Sequence, residues 1–243
     1  EPLFSQTGED PTFQEVMATG RLPRGVNSTK GVTGSKIRVN RKLVELTPEA
    51  KRPIPRDIRI HTLGNSVIPR KHFDRWSRWY QEDGSTQVFR LFTGETNVRN
   101  ERELAARVEA FHNLRWKRGP WHEWSGTYTL VKPHGAAIFQ AKNGDAPNWA
   151  VQLTMNDAGD VFFSPRRKPQ VKIAGNMTGK PFHIRVRDNG HDFEVYLDGK
   201  KAGTGSWNRP QGETSFRWGM YLGAHKVRHD AMIFVSGVSV DGK

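Results

Sequence analysis

Short runs of alternating apolar and polar residues fill most of the chain after residue 56, and turn residues separate them at regular intervals. A period of two is typical of half-buried β-strands. The pattern predicts twelve strands, at Ile58–His61, Trp76–Tyr80, Gln87–Phe92, Ala106–Phe111, Gly126–Val131, Ala136–Gln140, Trp149–Met155, Val161–Phe163, Phe182–Val186, Phe193–Leu197, Phe216–Leu222 and Ala231–Val240. Because almost no helical pattern accompanies these strands, we expect an all-β sandwich or barrel.

Four dipeptides of the kind that forms tight turns lie between these runs: Asp83-Gly84, Asn143-Gly144, Asn189-Gly190 and Asp198-Gly199. They predict antiparallel hairpins.

The first 56 residues have a different pattern, rich in Pro, Gly, Thr and basic residues. A short helix is predicted at Pro11–Thr19, and two short strands at Lys36–Asn40 and Leu43–Leu46. We therefore divide the chain into an N-terminal extension, 1–56, packed on a β-sandwich domain, 57–243.

The charge of the chain points to a polyanionic partner. Its 243 residues include 38 Lys and Arg against 25 Asp and Glu, which gives a net charge of +13. Nucleic acid, an anionic polysaccharide and a membrane surface all fit such a charge. Absence of cysteine excludes disulfides and thiolate zinc sites. The start at Glu1 rather than Met fits a processed, exported chain.

In three of the predicted strands, one face carries charged or polar residues where an apolar face would be expected. Arg107, Glu109 and Phe111 share a face of the first, and Gln140 and Lys142 share a face of the second. Taken alone, the first set favours a cross-strand ion pair on a solvated sheet face. Gln140 taken alone fits an edge residue that bonds a neighbouring backbone group.

The third strand carries Arg217, Gly219 and Tyr221 on one face and large apolar residues on the other. An exposed Arg and Tyr on a half-buried strand explain the alternation. The small Gly219 between them suggests room on that face for a ligand.

The hairpin His183–Lys200, with two alternating strands and a second turn, resembles one near the end of concanavalin A-like jelly rolls. The resemblance implies a β-jelly-roll sandwich of two antiparallel sheets with an extended N-terminal arm. Binding modules and enzymes share this fold, so it does not decide function.

In order and spacing, the three polar strands resemble the signature strands of jelly-roll polysaccharide lyases, the alginate lyase, glucuronan lyase and heparin lyase I-like group. The matching segments are Arg107-Val-Glu-Ala-Phe111, Gln140-Ala-Lys142 and Phe216-Arg-Trp-Gly-Met-Tyr221. The chain departs from alginate lyases at two positions, since Lys142 stands where they have His and Phe111 where they have a second Arg.

This resemblance implies a lyase that cleaves a uronate polymer by β-elimination. Arg107, Gln140 and Lys142 would offset the negative charge that develops on the uronate. Tyr221 would transfer the proton, while Arg217 would hold substrate or tune Tyr221. Glu109 is a further candidate for substrate binding.

Histidines and tryptophans add further candidates. His61, His72 and His112 are possible partners of Tyr221, although His112 faces away from Arg107 in a regular strand. Trp149 and Trp207 are candidates for stacking on sugar rings. His225 and His229 have no carboxylate at ligand spacing, so we expect a basic loop, no metal and no cofactor.

We expect a secreted or periplasmic monomer that acts on an anionic polysaccharide, with neither nucleic acid nor membrane as its partner. Three alternatives remain open: a non-catalytic, lectin-like module of the same fold, a nucleic-acid-binding protein, and a retaining glycoside hydrolase. The basic-aromatic run Arg75–Tyr80 favours the second. The third requires paired carboxylates that the sequence lacks.

Overall fold

Two antiparallel sheets, packed face to face, account for most of the described chain. The structure is a computed structural model, and it describes residues 32–33, 36–39, 42–45, 49–61, 67–76, 79–95, 106–144, 148–210, 212–223 and 225–242. The prediction of an all-β sandwich is confirmed.

The strands are, in chain order, β1 (Val32–Thr33), β2 (Lys36–Val39), β3 (Lys42–Glu45), β4 (Ile58–His61), β5 (Val67–Pro69), β6 (Tyr80–Asp83), β7 (Thr86–Leu91), β8 (Arg107–His112), β9 (His122–Lys132), β10 (Ala136–Asn143), β11 (Asn148–Met155), β12 (Val161–Pro165), β13 (Val171–Ala174), β14 (Phe182–Asp188), β15 (Asp192–Leu197), β16 (Lys200–Ser206), β17 (Thr214–Tyr221) and β18 (Ala231–Val240). Two short 3₁₀ helices are described, Glu49–Lys51 and Arg70–Trp76.

The eight-stranded sheet has the order β13-β12-β11-β10-β17-β8-β4-β5, and the seven-stranded sheet has the order β16-β15-β14-β9-β18-β7-β6. Strands β1 to β3 form a separate three-stranded sheet. Since β17 lies between β10 and β8, segments far apart in sequence become neighbours at the middle of the larger sheet.

Aromatic side chains join the two sheets across the core. Trp124 of β9 lies 4.9 Å from Phe139 of β10 and 5.7 Å from Trp218 of β17, measured between ring centroids. The Trp218 indole also donates a hydrogen bond to Gln87 of β7, at 2.8 Å. These contacts fix β10 and β17 from behind, so the polar residues of both strands point away from the core.

Most predicted strands are found within a few residues of their predicted bounds, and the four turn dipeptides join hairpins as expected. The strand predicted at Trp76–Tyr80 is wrong. A 3₁₀ helix ends at Trp76, the Trp79 N–H bonds the Trp76 carbonyl at 2.9 Å, and β6 begins only at Tyr80. Both tryptophans are buried with their rings 5.5 Å apart, so Trp76 and Trp79 do not lie on opposite faces of a strand.

Three edge strands of the two large sheets, β5, β13 and β16, were not predicted, and neither was β1 at the edge of the small sheet. Strand β16 lacks the apolar alternation of a typical strand because it contains Gly203 and Gly205, but the packing of the core requires both glycines. A Cβ on Gly203 would lie 2.6 Å from the Phe163 ring, and one on Gly205 would lie 2.5 Å from the Phe193 ring.

In the N-terminal extension, β2 and β3 match the two predicted strands, while the predicted helix Pro11–Thr19 lies outside the described residues. The 3₁₀ helix Glu49–Lys51 packs on β9 and β18, with Ala50 fully buried. The division at residue 56 stays a prediction. Within the described ranges, no helix has the length and apolar character needed to cross a membrane.

Candidate active site

A buried carboxylate lies at the middle of the outer face of the eight-stranded sheet. Glu109 on β8 is 1% exposed. Burial raises the pKa of the Glu109 carboxyl, and the nearby cations Arg107, Arg217 and Lys142 together with the Gln140 amide oppose that shift. Three basic side chains therefore lie within electrostatic range of one carboxylate.

The Gln140 amide is held from two sides. Its Nε2 donates to Glu109 Oε2 at 2.7 Å, and its Oε1 accepts from Gln152 Nε2 at 3.0 Å. A reversed amide would set an oxygen against the carboxylate and a nitrogen against the Gln152 donor. The two bonds thus fix which end of the amide faces which neighbour.

Tyr221 ends β17 beside the start of β8, where it is paired with Arg107. The Arg107 guanidinium lies over the half-buried phenol ring, 4.6 Å from its centroid. On its other side, Arg107 Nη1 is 4.0 Å from Glu109 Oε1. Arg107 therefore connects the phenol to the Glu109–Gln140 pair.

Arg217 is buried next to His61 of β4, and its Nη1 lies 3.0 Å from His61 Nδ1. A guanidinium can only donate, so Nδ1 is the acceptor and the ring proton is on Nε2. While this bond is present, His61 is a neutral ring. Phe111 packs against both, with its ring 5.3 Å from the His61 ring and 5.4 Å from the Arg217 guanidinium carbon.

Lys142 projects from the same face of β10 as Gln140, two residues further along the strand. Its Nζ lies 3.4 Å from the Gly144 carbonyl, and it is paired across the strands with Trp149 and Ser215. It thus extends the cationic face toward β11.

The reason for glycine at position 219 differs from the expected one. Gly219 has φ of +128°, and a Cβ there would lie 2.4 Å from the Val108 carbonyl oxygen and 2.9 Å from the Phe89 ring. Phe89 belongs to the core, so the glycine permits a close approach of backbone and core rather than room on the outer face.

Two of the candidate histidines lie away from this cluster. His72 is on the 3₁₀ helix Arg70–Trp76, which packs between the edge strands β5 and β6. His112 lies on β8 with its side chain directed opposite to Arg107. Its Nδ1 accepts the Leu114 N–H at 2.9 Å, and burial lowers its pKa. Of the three histidines, His61 is the one that joins the Glu109 cluster among the described residues, through its bond to Arg217.

The two candidate tryptophans share one arginine at the edge of the sheet. The Arg166 guanidinium carbon lies 4.7 Å from the Trp207 ring and 5.4 Å from the Trp149 ring. Arg166 therefore covers part of each ring. Of the two, Trp149 is the one paired with Lys142 and adjoining the cluster.

Sequence reasoning did not identify two residues of this face. Gln152 fixes Gln140, and Arg59 lies over the Phe111 ring at 5.5 Å while bonding Asn113 through its Nε and Nη2. The alternation of Ile58–His61 already places Arg59 beside His61 on one face. Gln152 carried no signal, because only the register of β10 against β11 sets it opposite Gln140. No group of three or more His, Asp or Glu suited to a metal occurs in the described part of the chain.

Comparison with known proteins gives likeness in structure but not in sequence. No protein-family model matches the chain, and no curated protein matches it by sequence. Solved structures do match. The alginate lyase AlgAT5 from polysaccharide lyase family 7 has a TM-score of 0.61 at 14% identity over 76% of this chain and 94% of that one.

Two further matches are similar. The alginate lyase from Corynebacterium sp. has a TM-score of 0.61 at 13% identity, over 76% of this chain and 93% of that one. The family 7 alginate lyase A1-II', in complex with substrate, has a TM-score of 0.59 at 13% identity, over 76% and 91%. These likenesses confirm the jelly-roll fold that the sequence resemblance implied.

Proposed function

We propose that the chain is a polysaccharide lyase that cleaves a uronate polymer by β-elimination, with Tyr221 as the group that transfers the proton. The observation that carries the proposal is the continuous set of contacts Tyr221–Arg107–Glu109–Gln140 on one face of the sheet. Charge neutralisers and a phenol are the groups this reaction needs, and the likeness to alginate lyases supports the same choice.

The reaction has a charge problem that this cluster answers. A base removes the proton at C5 of a uronate, electrons move to form the C4–C5 double bond, and the C4–oxygen bond breaks. The leaving oxygen takes up a proton. Because the C5 carbanion is next to a carboxylate, negative charge grows where charge already exists, and cations and amide N–H groups lower that cost.

In this scheme Arg107, Arg217 and Lys142 supply the positive charge, and Gln140 supplies an oriented amide. The burial of Glu109 favours a positioning role over the predicted contact with substrate. Its carboxylate accepts a hydrogen bond from Gln140 and so orients that amide. It also lies within electrostatic range of the three cations and offsets part of their positive charge.

The bond between Arg217 and His61 supports Tyr221 rather than His61 as the base. A ring whose Nδ1 accepts from a guanidinium carries its proton on Nε2, so it has no lone pair left for a C5 proton. We therefore assign His61 to hydrogen-bond donation from its Nε2–H to the uronate carboxylate, and His72 and His112 to no step. Trp149 remains a candidate contact for a neighbouring sugar, and Trp207 a less direct one.

The polymer we propose is glucuronan-like or alginate-like. Lys142 and Phe111, which replace residues typical of alginate lyases, leave the epimer of the uronate open between these two. A polysaccharide substrate fits the secreted or periplasmic location that the sequence predicts.

Incubation with glucuronan, alginate and a neutral glucan tests the proposal. We expect the ultraviolet absorbance of a 4,5-unsaturated uronate to rise with an acidic polymer only. Mass spectrometry should find products that lack the elements of water relative to hydrolysis products. Polymer retention without any such product would support the lectin-like module instead, and saturated products would support a hydrolase.

A further inference from the structure

A cavity of about 470 Å³ lies next to Tyr221, at the end of the face opposite to Lys142. Polar side chains that line it include Gln152, Thr154, Gln170, His225 and Arg228. Among the described residues that line it there is no carboxylate. Its size is in the usual range for small-ligand sites and sufficient for a sugar ring.

Arg228 is held in place at the wall of this cavity. Its Nη2 donates to both oxygens of Asp157, at 2.9 and 2.8 Å, and Asp157 Oδ1 is itself fixed by the Gly135 N–H at 2.8 Å. The side chain of Arg228 is 58% exposed. Its Nη1 and Nε make no hydrogen bond to any described residue, so these donors can serve a ligand.

The backbone of Arg228 is fixed by a buried histidine. The Arg228 N–H donates to His134 Nε2 at 3.0 Å, and His134 Nδ1 lies 3.0 Å from the Gly135 carbonyl. Because Nε2 accepts, the ring proton is on Nδ1 and His134 is neutral. His134 is 1% exposed, and burial lowers its pKa, which agrees with a neutral ring. A fixed guanidinium loses less conformational freedom on binding than a mobile one.

We propose that this cavity binds the acidic group of the sugar adjacent to the one that reacts at Tyr221, with Arg228 as its main contact. Carboxylate and sulfate oxygens both accept charge-assisted hydrogen bonds from a guanidinium N–H, here from Nη1 or Nε of Arg228. The protein would thus select polymers with acidic groups on consecutive sugars. The inference rests on the proposed function, because it takes Tyr221 as the reacting centre.

The test measures binding without turnover, in the Tyr221→Phe background, by calorimetry with tetrasaccharides of glucuronan and alginate and with a sulfated chondroitin tetrasaccharide. We expect Arg228→Gln to weaken binding about tenfold and Arg228→Lys to recover part of that loss. The matched control is Arg185→Gln, since Arg185 also pairs with a carboxylate, Glu123, at 3.1 Å but lies on the seven-stranded sheet.

Each outcome has a defined meaning. Loss with the polyuronates assigns a carboxylate, loss with the chondroitin ligand assigns a sulfate, and loss with both assigns either acid. Unchanged affinity in Arg228→Gln, or equal loss in Arg228→Lys, overturns the inference. Failure of the proposed function is separate: it would appear as absent unsaturated product with the unaltered chain, whatever Arg228→Gln does to binding.

Discussion

Replacement of Glu109 by glutamine tests how the Gln140 amide is oriented. Glu109 accepts from Gln140 Nε2 at 2.7 Å, and its charge makes the reversed amide unfavourable. Glutamine has nearly the same shape but offers both a donor and an acceptor, so it tolerates either orientation of Gln140. Gln152 then remains as the one described side chain that favours the original orientation, through its 3.0 Å bond.

The size of the effect follows from two terms. A hydrogen bond to a charged group contributes about 1.5–3 kcal/mol and a neutral one about 1 kcal/mol, so the variant loses about 0.5–2 kcal/mol of the preference for one amide orientation. If that loss falls on the transition state, kcat decreases about 2- to 30-fold. The second term concerns the Arg107 Nη1–Glu109 Oε1 distance of 4.0 Å. At an effective dielectric constant near 20, this pair interacts by about 4 kcal/mol.

Without the Glu109 charge, the positive charge of Arg107 is less offset and attracts an anionic polymer more strongly. Both KM and kcat should therefore fall in Glu109→Gln. The assay is the initial rate of unsaturated product over a range of polymer concentrations. Glu194→Gln is the control, because Glu194 also accepts from an arginine, Arg187 at 3.1 Å, but on the other sheet. Unchanged kcat and KM would refute the positioning role. A loss of kcat as large as that of Tyr221→Phe would instead assign Glu109 to proton transfer.

Three predictions concern stability, each measured by urea unfolding. Burial raises the pKa of the Glu109 carboxyl above its ordinary value of 4.5. The protonated form therefore stabilises the fold fully below pH 4.5, and this contribution is lost as pH rises through the raised pKa. Over that window the free energy of unfolding of the unaltered chain should fall relative to that of Glu109→Gln, and parallel curves would contradict this. Gly219→Ala should lower the free energy of unfolding by more than the roughly 1–3 kcal/mol of backbone strain, because the new Cβ also clashes with the backbone. Gly84→Ala is the control: with φ of +59° and nothing within 4 Å of the Cβ position, it should show the strain alone. Equal losses in the two variants would contradict this. Asp188→Asn should cost about 3–5 kcal/mol, because it leaves the buried Arg209 without its charged partner, and a loss under about 1 kcal/mol would show that the pair is not needed.

Much of the middle of the larger sheet was predictable from alternation, although a register shift between Ala137 and Phe139 interrupts β10 and Gly219 interrupts β17. On β8, β10 and β17, apolar residues point to the core, so Arg107, Gln140 and Tyr221 had to project outward. The order β10-β17-β8 in the sheet depends on pairing between segments that are far apart in the sequence. Only the resemblance to lyase strands indicated that these three strands lie together.

Other features depend on tertiary contacts that no local pattern records. The helix ending at Trp76 is set by the packing of two tryptophans, and the position of Gln152 is set by strand register. The sequence of β17 suggests that Gly219 leaves space for a ligand. The clash that a Cβ at this position would make with Val108 and Phe89 depends on the packing of the two sheets, which the sequence does not show.

Tyr221→Phe tests the central claim most directly, because it removes the phenol oxygen and keeps the ring on which Arg107 lies at 4.6 Å. We predict that formation of unsaturated product falls at least about 100-fold, while affinity for the acidic polymer stays within a factor of about two. Near-normal product formation by this variant would show that another group moves the proton and would contradict the account.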